Sequence, residues 1–256
     1  MNVDKDSVDR FSDRVTDYVR YRPSYPIGAL EAIRSIGELR AGAEVVDLGS
    51  GTGIWTRILL EAGFHVSAVE PNPEMRKAAE MGLGSHSGFR SVDGASDSTG
   101  LSTGSVDLIT AAQAFHWFDV VKTRRECLRV LKQDAWVALL FNERLVEGSP
   151  FLIAYEALLQ RFATDYNLVN HASLNDDTFV QFYGTNAYER RSFPHIQQFD
   201  YKGLEGRLLS SSYAPAKGQP DHEPMLSELR QLFDETEKDG LIGFEYRTLV
   251  YMGRLV

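Results

Sequence analysis

Residues 45–53 read VVDLGSGTG, an apolar run that meets three glycines, and the stripe Ile54, Trp55, Ile58, Leu59 and Ala62 follows at helical spacing. A strand, a glycine turn and a helix in that order open a right-handed βαβ unit. Gly49, Gly51 and Gly53 allow the backbone to turn sharply and approach a ligand, and the helix start offers unpaired N–H groups. The glycines run G-x-G-x-G. A dinucleotide fingerprint, G-x-G-x-x-G, would place its third glycine where Ile54 stands. Asp47, at the end of the strand, would repel a pyrophosphate, whereas it suits a ligand that presents an ammonium group or other donors.

On either side of this stretch, short apolar segments alternate with helical ones. Glu44–Leu48, Val66–Glu70, Phe89–Val92, Val106–Ala111 and Ala135–Asn142 read as strands, and AWVALLF is apolar on both faces. Between them lie the stripes Met75, Ala78, Ala79 and Val121, Leu128, Leu131. The pattern predicts an α/β fold, a mostly parallel sheet covered by helices on both sides. Ahead of it, Val8–Val19 and ALEAIRSI read as two helices, with Pro26 in the first turn of the second. After Gly148 the pattern changes to a helix at about 150–166 followed by polar segments, then FPHIQQFDY, the serine run LLSSSYAP, an acidic helix PMLSELRQLFDETEK and an alternating strand FEYRTLVYMGRL. With no repeat and no flexible linker, this half reads as an elaboration on the same sheet.

The chain has 256 residues, of which 43% are hydrophobic and 25% charged, the profile of an ordinary soluble globular protein. Its net charge of −9 repels polyanions and argues against nucleic acid as a partner. Cys127 is the only cysteine, so Cys-based zinc clusters are excluded and no metal is expected; a buried structural thiol is the reading of Cys127. No apolar run is long enough to span a bilayer, and MNVDKDSVDR does not read as a secretory leader, so the expectation is a cytoplasmic protein without membrane partners.

About 20 residues beyond the glycines the second strand ends in Glu70, where a carboxylate can accept both hydroxyls of a ribose. Asn72 and Pro73 then cap and open the next helix. DLGSGTG followed by AVEPN resembles the cofactor site of class I S-adenosylmethionine-dependent methyltransferases. RPSYP, AAQAFHWFD, SSSYAP and YRTLVYMGRL resemble the small-molecule, trans-aconitate methyltransferase-like (type 11) branch. The resemblance implies a Rossmann-like three-layer sandwich with a seven-stranded sheet ordered 3-2-1-4-5-7-6 and an antiparallel last strand. It also implies one domain over 1–256: an N-terminal helical lid (1–40), a cofactor-binding core (41–145) and an acceptor-side elaboration with cap elements (146–256).

Carried onto this chain, the resemblance gives Asp47, Gly49, Ser50, Gly51, Thr52 and Gly53 to the methionine part of S-adenosylmethionine, and Glu70 with Pro71 to its ribose. Met75 would lie against the adenine, and Gly94, Ala95 and Ser96 would meet its edge. An acidic residue often stands in the family where Ala95 stands here, which leaves that edge to backbone or to Asp97. Gln113 and Phe115 would line the cofactor; Tyr21 and Arg22 would close over it, with Tyr18 and Tyr25 in the same lid, although helix packing explains Tyr18 equally well. S-adenosylhomocysteine would be the product.

The segment after the fourth strand reads Gln113-Ala114-Phe115-His116-Trp117 in place of the Asn-Pro-Pro-aromatic tetrad of base-amine methylators, so a nucleic-acid base is disfavoured. His116 is the residue suited to take a proton near neutral pH, with packing beside Trp117 as the alternative, and Trp117 would face the acceptor. A carboxylic acid acceptor would need cationic anchors. Arg22, Arg144 and Arg191 are the candidates, each equally readable as a solvated arginine, and Tyr213 in the serine run would close over the acceptor or belong to a plain loop. Three other readings stay open: an NAD(P)-dependent oxidoreductase, against which the missing third glycine and Asp47 speak, a non-catalytic S-adenosylmethionine-binding module, and a protein or nucleic-acid methyltransferase, against which the acidic charge and compact length speak. Either a monomer or a homodimer is compatible with the sequence.

Overall fold

The computed structural model describes residues 21–164, 176–211 and 213–256. The helix expected at Val8–Val19, and Tyr18 within it, lie outside the described residues. The elements are α1 (Ile27–Ile36), β1 (Glu44–Leu48), α2 (Ile54–Glu61), β2 (His65–Val69), α3 (Pro73–Leu83), β3 (Phe89–Val92), β4 (Val106–Ala112), α4 (Val120–Val130) and β5 (Leu131–Arg144). They continue with α5 (Pro150–Phe162), α6 (Asp176–Tyr183), β6 (Glu189–Phe199), α7 (Tyr201–Leu209), α8 (His222–Thr236) and β7 (Ile242–Gly253). A single 3-10 turn, Phe115–Trp117, joins β4 to α4.

The strands form one sheet in the order β3-β2-β1-β4-β5-β7-β6, with β1 to β5 parallel and β7 antiparallel to β5 and to β6. Order and direction match the expectation. The central strands are apolar on both faces because each face is covered. Val45, Leu108, Ala138, Leu140, Val250 and Met252 pack against α1 and α2, while Val46, Ile109, Val137, Leu139, Leu249 and Tyr251 pack against α4 and α6. Cys127 is buried among the second set, its thiol pushed up to about 12 by burial, which leaves it an inert packing group. A third apolar cluster lies outside the central strands: α5, α7 and α8 close over Phe244 and Tyr246 at the start of β7.

Several boundaries differ from the sequence reading: β5 begins at Leu131, given there to a helical stripe, and not at Ala135, α5 ends at Phe162 and not near 166, β2 shifts by one residue and β4 runs one residue further. Pro26 stands just before α1 in extended geometry and caps it, since its fixed φ admits both conformations. The acidic helix begins at His222, two residues before Pro224, because proline is tolerated within a first turn. FPHIQQF, to which the sequence reading gave no element, completes β6, and the Asp200 and Tyr201 that follow cap and open α7; an outer strand whose inner face is only partly covered tolerates Pro194.

Candidate functional site

β1 connects towards β2 and β4 towards β5, so the chain departs in opposite directions from two adjacent strands. The crevice at their carboxyl ends is the topological switch point of the sheet. The glycine loop 49–53 sits there. Gly49 and Ser50 donate to the Val69 carbonyl at 2.8 and 3.2 Å, which lashes the loop to the end of β2. All three glycines have positive φ, yet their surroundings differ. A Cβ on Gly49 would stand 2.6 Å from Ala114 Cβ, and one on Gly53 2.5 Å from Leu83 Cδ1, whereas one on Gly51 would meet nothing within 4 Å. Gly49 and Gly53 therefore permit close packing, and Gly51 borders open space.

Two carboxylates converge on this loop. Asp47 is 1% exposed; its Oδ2 accepts from Thr56 Oγ1 at 2.6 Å and its Oδ1 from Thr110 Oγ1 at 3.1 Å. Thr110 lies directly opposite Asp47 in the β1/β4 register. Burial outweighs the two hydroxyl bonds and raises the Asp47 carboxyl to about 7. Asp47 thus ties the end of β1 to α2 and β4, the elements on either side of the loop. Glu70 accepts from the Gly51 N–H and the Asn72 N–H, both at 2.9 Å, and desolvation raises its carboxyl as well. Arg76, which the sequence reading passed over, donates to the carbonyls of Glu70 and Pro71 and pairs with Asp93 at 3.0 Å, so it ties the end of β2 to the 93–96 loop. Asn72 caps α3 through the Glu74 and Met75 N–H groups, which fixes Met75 as a buried side chain beside this turn.

The raised Asp47 carboxyl has a measurable consequence. Its folded pKa lies above its unfolded value, so its contribution to stability is fully present below about 4 and lost as pH rises through about 7, on the order of 4 kcal/mol. Asparagine can accept from Thr56 and donate to Thr110, whose hydroxyl also bonds the Val46 carbonyl at 3.2 Å. We expect Asp47→Asn to match the wild type in urea denaturation near pH 4 and to exceed it by about 2–4 kcal/mol at pH 8. Equal stability of the two proteins at both pH values would refute the assignment.

The 93–96 loop is held from the other side. Ser96 Oγ lies 2.9 Å from Thr123 Oγ1 on α4, and Gly94 lies against Val69. Glu126 accepts from the N–H and hydroxyl of Thr99, and hydrogen bonds from Arg129 pull its carboxyl down to about 2. Ala95 forms a short backbone bridge with Ser98.

Gln113, just past β4, is a non-glycine residue at φ 55, in a conformation that costs energy and marks functional sites. Its Nε2 donates to the Asn142 carbonyl at 3.0 Å, while its Oε1 is buried without a hydrogen-bond partner. The hydroxyl of Thr52, in the glycine loop, is likewise buried and unpartnered. His116 and Trp117 follow in the 3-10 turn, both half-buried, with ring centroids 4.8 Å apart. This turn is the neighbour of the glycine loop, since Ala114 and Phe118 are the side chains against which Gly49 packs.

The remaining expected residues fall elsewhere. Phe115 is 1% exposed and packs against Phe118, Phe179 and Phe182, so it serves the core and offers no surface to the crevice. Tyr21 packs against Gly206 on α7, and Arg22 donates to the Ser210 carbonyl at 2.9 Å. The N-terminal segment is therefore stapled to the cap. From there it crosses to Ser24, whose carbonyl accepts from Asn142, and to Tyr25, which meets Trp55 edge-on. Arg144 is paired with Glu156, and Arg191 is an exposed residue paired with Glu189. Tyr213 packs at the margin of the cap cluster. Among the described residues no group of His, Cys, Asp and Glu could hold a metal, and no helix is long and apolar enough to cross a membrane.

Comparison with known proteins agrees with this geometry. Residues 46–139 match the family model described as a methyltransferase domain. An uncharacterized methyltransferase of Schizosaccharomyces pombe is 30% identical over 255 residues, 96% of this chain and 97% of its own length. An uncharacterized methyltransferase of Mycobacterium tuberculosis is 36% identical over 134 residues, and the chain spans about half, 52%, of that relative's length. Among solved structures, one from Anaeromyxobacter dehalogenans, provisionally described as a type II methyltransferase, superposes with a TM-score of 0.69 at 21% identity. That likeness of fold covers 92% of this chain and 99% of the other.

Proposed function

Because this chain belongs to the class I S-adenosylmethionine-dependent methyltransferases, we propose that it methylates a small-molecule acceptor, a carboxylic acid being the leading candidate, by in-line displacement at the crevice described above. The observation that supports this reading over dinucleotide chemistry is the pair of buried carboxylates, Asp47 and Glu70, at the glycine loop. A pyrophosphate there would face two acidic groups, and the Gly51 N–H is already committed to Glu70. A ligand carrying an ammonium, a sulfonium and a ribose diol has the complementary charge and donors. The residues fit such a cofactor. Gly51 borders the open space, Thr52 Oγ1 and Gln113 Oε1 are unpartnered polar atoms, and the Glu70 oxygens, each accepting one backbone N–H, would accept the ribose hydroxyls with their remaining lone pairs.

When bound, S-adenosylmethionine supplies an electrophilic methyl group on a good leaving group. The protein's part is to align the acceptor and exclude water, which can account for most of the rate gain. Asp47 and its two threonines join the end of β1 to α2 and β4; Gln113 is fixed by Asn142; His116, at the adjoining turn, would take a proton from a neutral acceptor nucleophile. Arg76, Asp93 and Ser96 keep the 93–96 loop where the adenine edge would lie.

Thermal melts with S-adenosylmethionine, S-adenosylhomocysteine, NAD and NADP test the reading. Saturation with either adenosyl compound at a hundred times its Kd should raise the midpoint by roughly 5 to 10 °C, with no response to the nicotinamides. A response to NAD alone would replace the reading with a dehydrogenase.

A further inference from the structure

The cap contains a cation that the fold does not neutralise. Arg207, on α7, is 6% exposed. Its Nε donates to Tyr246 Oη and its Nη1 to Ser211 Oγ, each at 3.0 Å, and its guanidinium lies 5.6 Å from the Phe244 ring centroid. No carboxylate pairs with it among the described residues; Arg144, by contrast, has Glu156. A guanidinium stays charged in a protein, and a buried charge held only by neutral phenols, a hydroxyl and a ring face is strongly unfavourable unless an anion completes the site.

A second observation, independent of the first, points to the same place. Tyr155, on α5, is 1% exposed, and its Oη has no hydrogen-bond partner. It meets Phe244 edge-on at 5.1 Å and lies under the Arg144 guanidinium at 5.3 Å. Tyr183, equally buried, donates to the Tyr251 carbonyl at 2.9 Å, so this fold does satisfy a buried phenol where nothing else is to bind it. Burial keeps the Tyr155 phenol protonated and hence a donor. An unused donor and an uncompensated cation therefore share the space around Phe244.

The position of this pair relates it to the crevice. Tyr246 is opposite Arg144, the last residue of β5, and opposite His195 on β6, so the pair stands at the carboxyl end of the parallel strands, the edge that carries the glycine loop. From the His116 turn after β4 to β7 is two strand spacings, roughly 10 Å. With Nε and one Nη1 hydrogen committed, the other Nη1 hydrogen and Nη2 remain as donors to a carboxylate.

We propose that Arg207 and Tyr155 form a carboxylate-binding subsite that anchors the acceptor by a group other than the one that is methylated. The inference rests on the methyltransferase reading and adds to it the chemical class of the acceptor: an acid bearing a second nucleophile, which reaches the His116 turn while its carboxylate is held in the cap. Arg22, Arg144 and Arg191, the arginines that the sequence offered as anchors, are engaged by Ser210, Glu156 and Glu189, and Arg161 and Arg230 of the cap helices pair with Glu228 and Asp234, whereas Arg207 has no carboxylate among the described residues.

The test uses the full chain loaded with S-adenosylhomocysteine and titrated calorimetrically with short dicarboxylic, hydroxy and amino acids. Their primary amides and the phosphate monoesters of the same carbon skeletons complete the panel. Acids should bind and amides should not. Tyr155→Phe, which removes only a hydroxyl, should weaken acid binding about tenfold, and Arg207→Gln a hundredfold or more, with S-adenosylhomocysteine affinity unchanged in both. In turnover with S-adenosylmethionine, the best-bound acid should yield a product that keeps its anchored carboxylate free. Tyr155→Phe keeps the proposal testable should Arg207→Gln fail to fold. Equal binding of acids and amides, no acid binding, preference for the phosphate monoesters, or an unaffected Tyr155→Phe protein overturns the subsite. Failure of S-adenosylhomocysteine itself to bind overturns the reading beneath it.

Discussion

Gly51→Val should bind S-adenosylhomocysteine at least a hundredfold more weakly than the wild type while still folding. A Cβ at Gly51 meets no protein atom within 4 Å, so a valine side chain there projects into the space assigned to the cofactor. The only intrinsic penalty is that of holding a branched residue at φ 56, of order 1–2 kcal/mol. Gly53→Val makes the contrast. Its Cβ would stand 2.5 Å from Leu83 at φ 85, so that substitution should cost several kcal/mol of fold stability before any ligand is considered. Melting curves and calorimetry on the two variants separate the effects. A folded Gly51→Val protein with near-normal affinity would remove the cofactor from the loop.

The second large effect is expected at His116. His116→Ala should lower kcat by about a hundredfold with a nucleophile that must lose a proton, and leave the affinity for S-adenosylhomocysteine unchanged. The residue sits in the 3-10 turn whose neighbours Ala114 and Phe118 pack on Gly49, so it adjoins the methyl-transfer crevice without touching the Asp47 network. A packing role beside Trp117 would show as a lowered midpoint with kcat little changed. A proton-accepting role would show as loss of the acidic limb of the kcat/KM profile, which packing does not affect. An unaltered rate and profile would assign His116 to packing.

The sequence of this chain is legible where the structural information is local. The glycine loop spans five residues and the Glu70 turn with its Asn72 cap three, and backbone sterics and capping chemistry act at that range. The boundaries of β6 and of the acidic helix were less legible. An outer strand with half-covered alternation resembles a polar loop, and proline fits either side of a helix start. Phe115 and Tyr21 lie in motifs that suggest a ligand, but their surroundings come from Phe182 and Gly206, far along the chain.

The sequence by itself determined the fold class, the strand-turn-helix that makes the crevice, and the acidic character of its floor, because periodicity and a handful of adjacent residues specify each of these. Only the tertiary structure decided what the charges do. Burial raises the Asp47 carboxyl to about 7 against the opposing hydrogen bond from Thr110, 63 residues away, and α7 folds Arg207 onto Tyr246, 39 residues further on, where no carboxylate among the described residues pairs with it. Charge state and pairing depend on the dielectric and on partners brought from distant segments, and neither exists until the chain has folded.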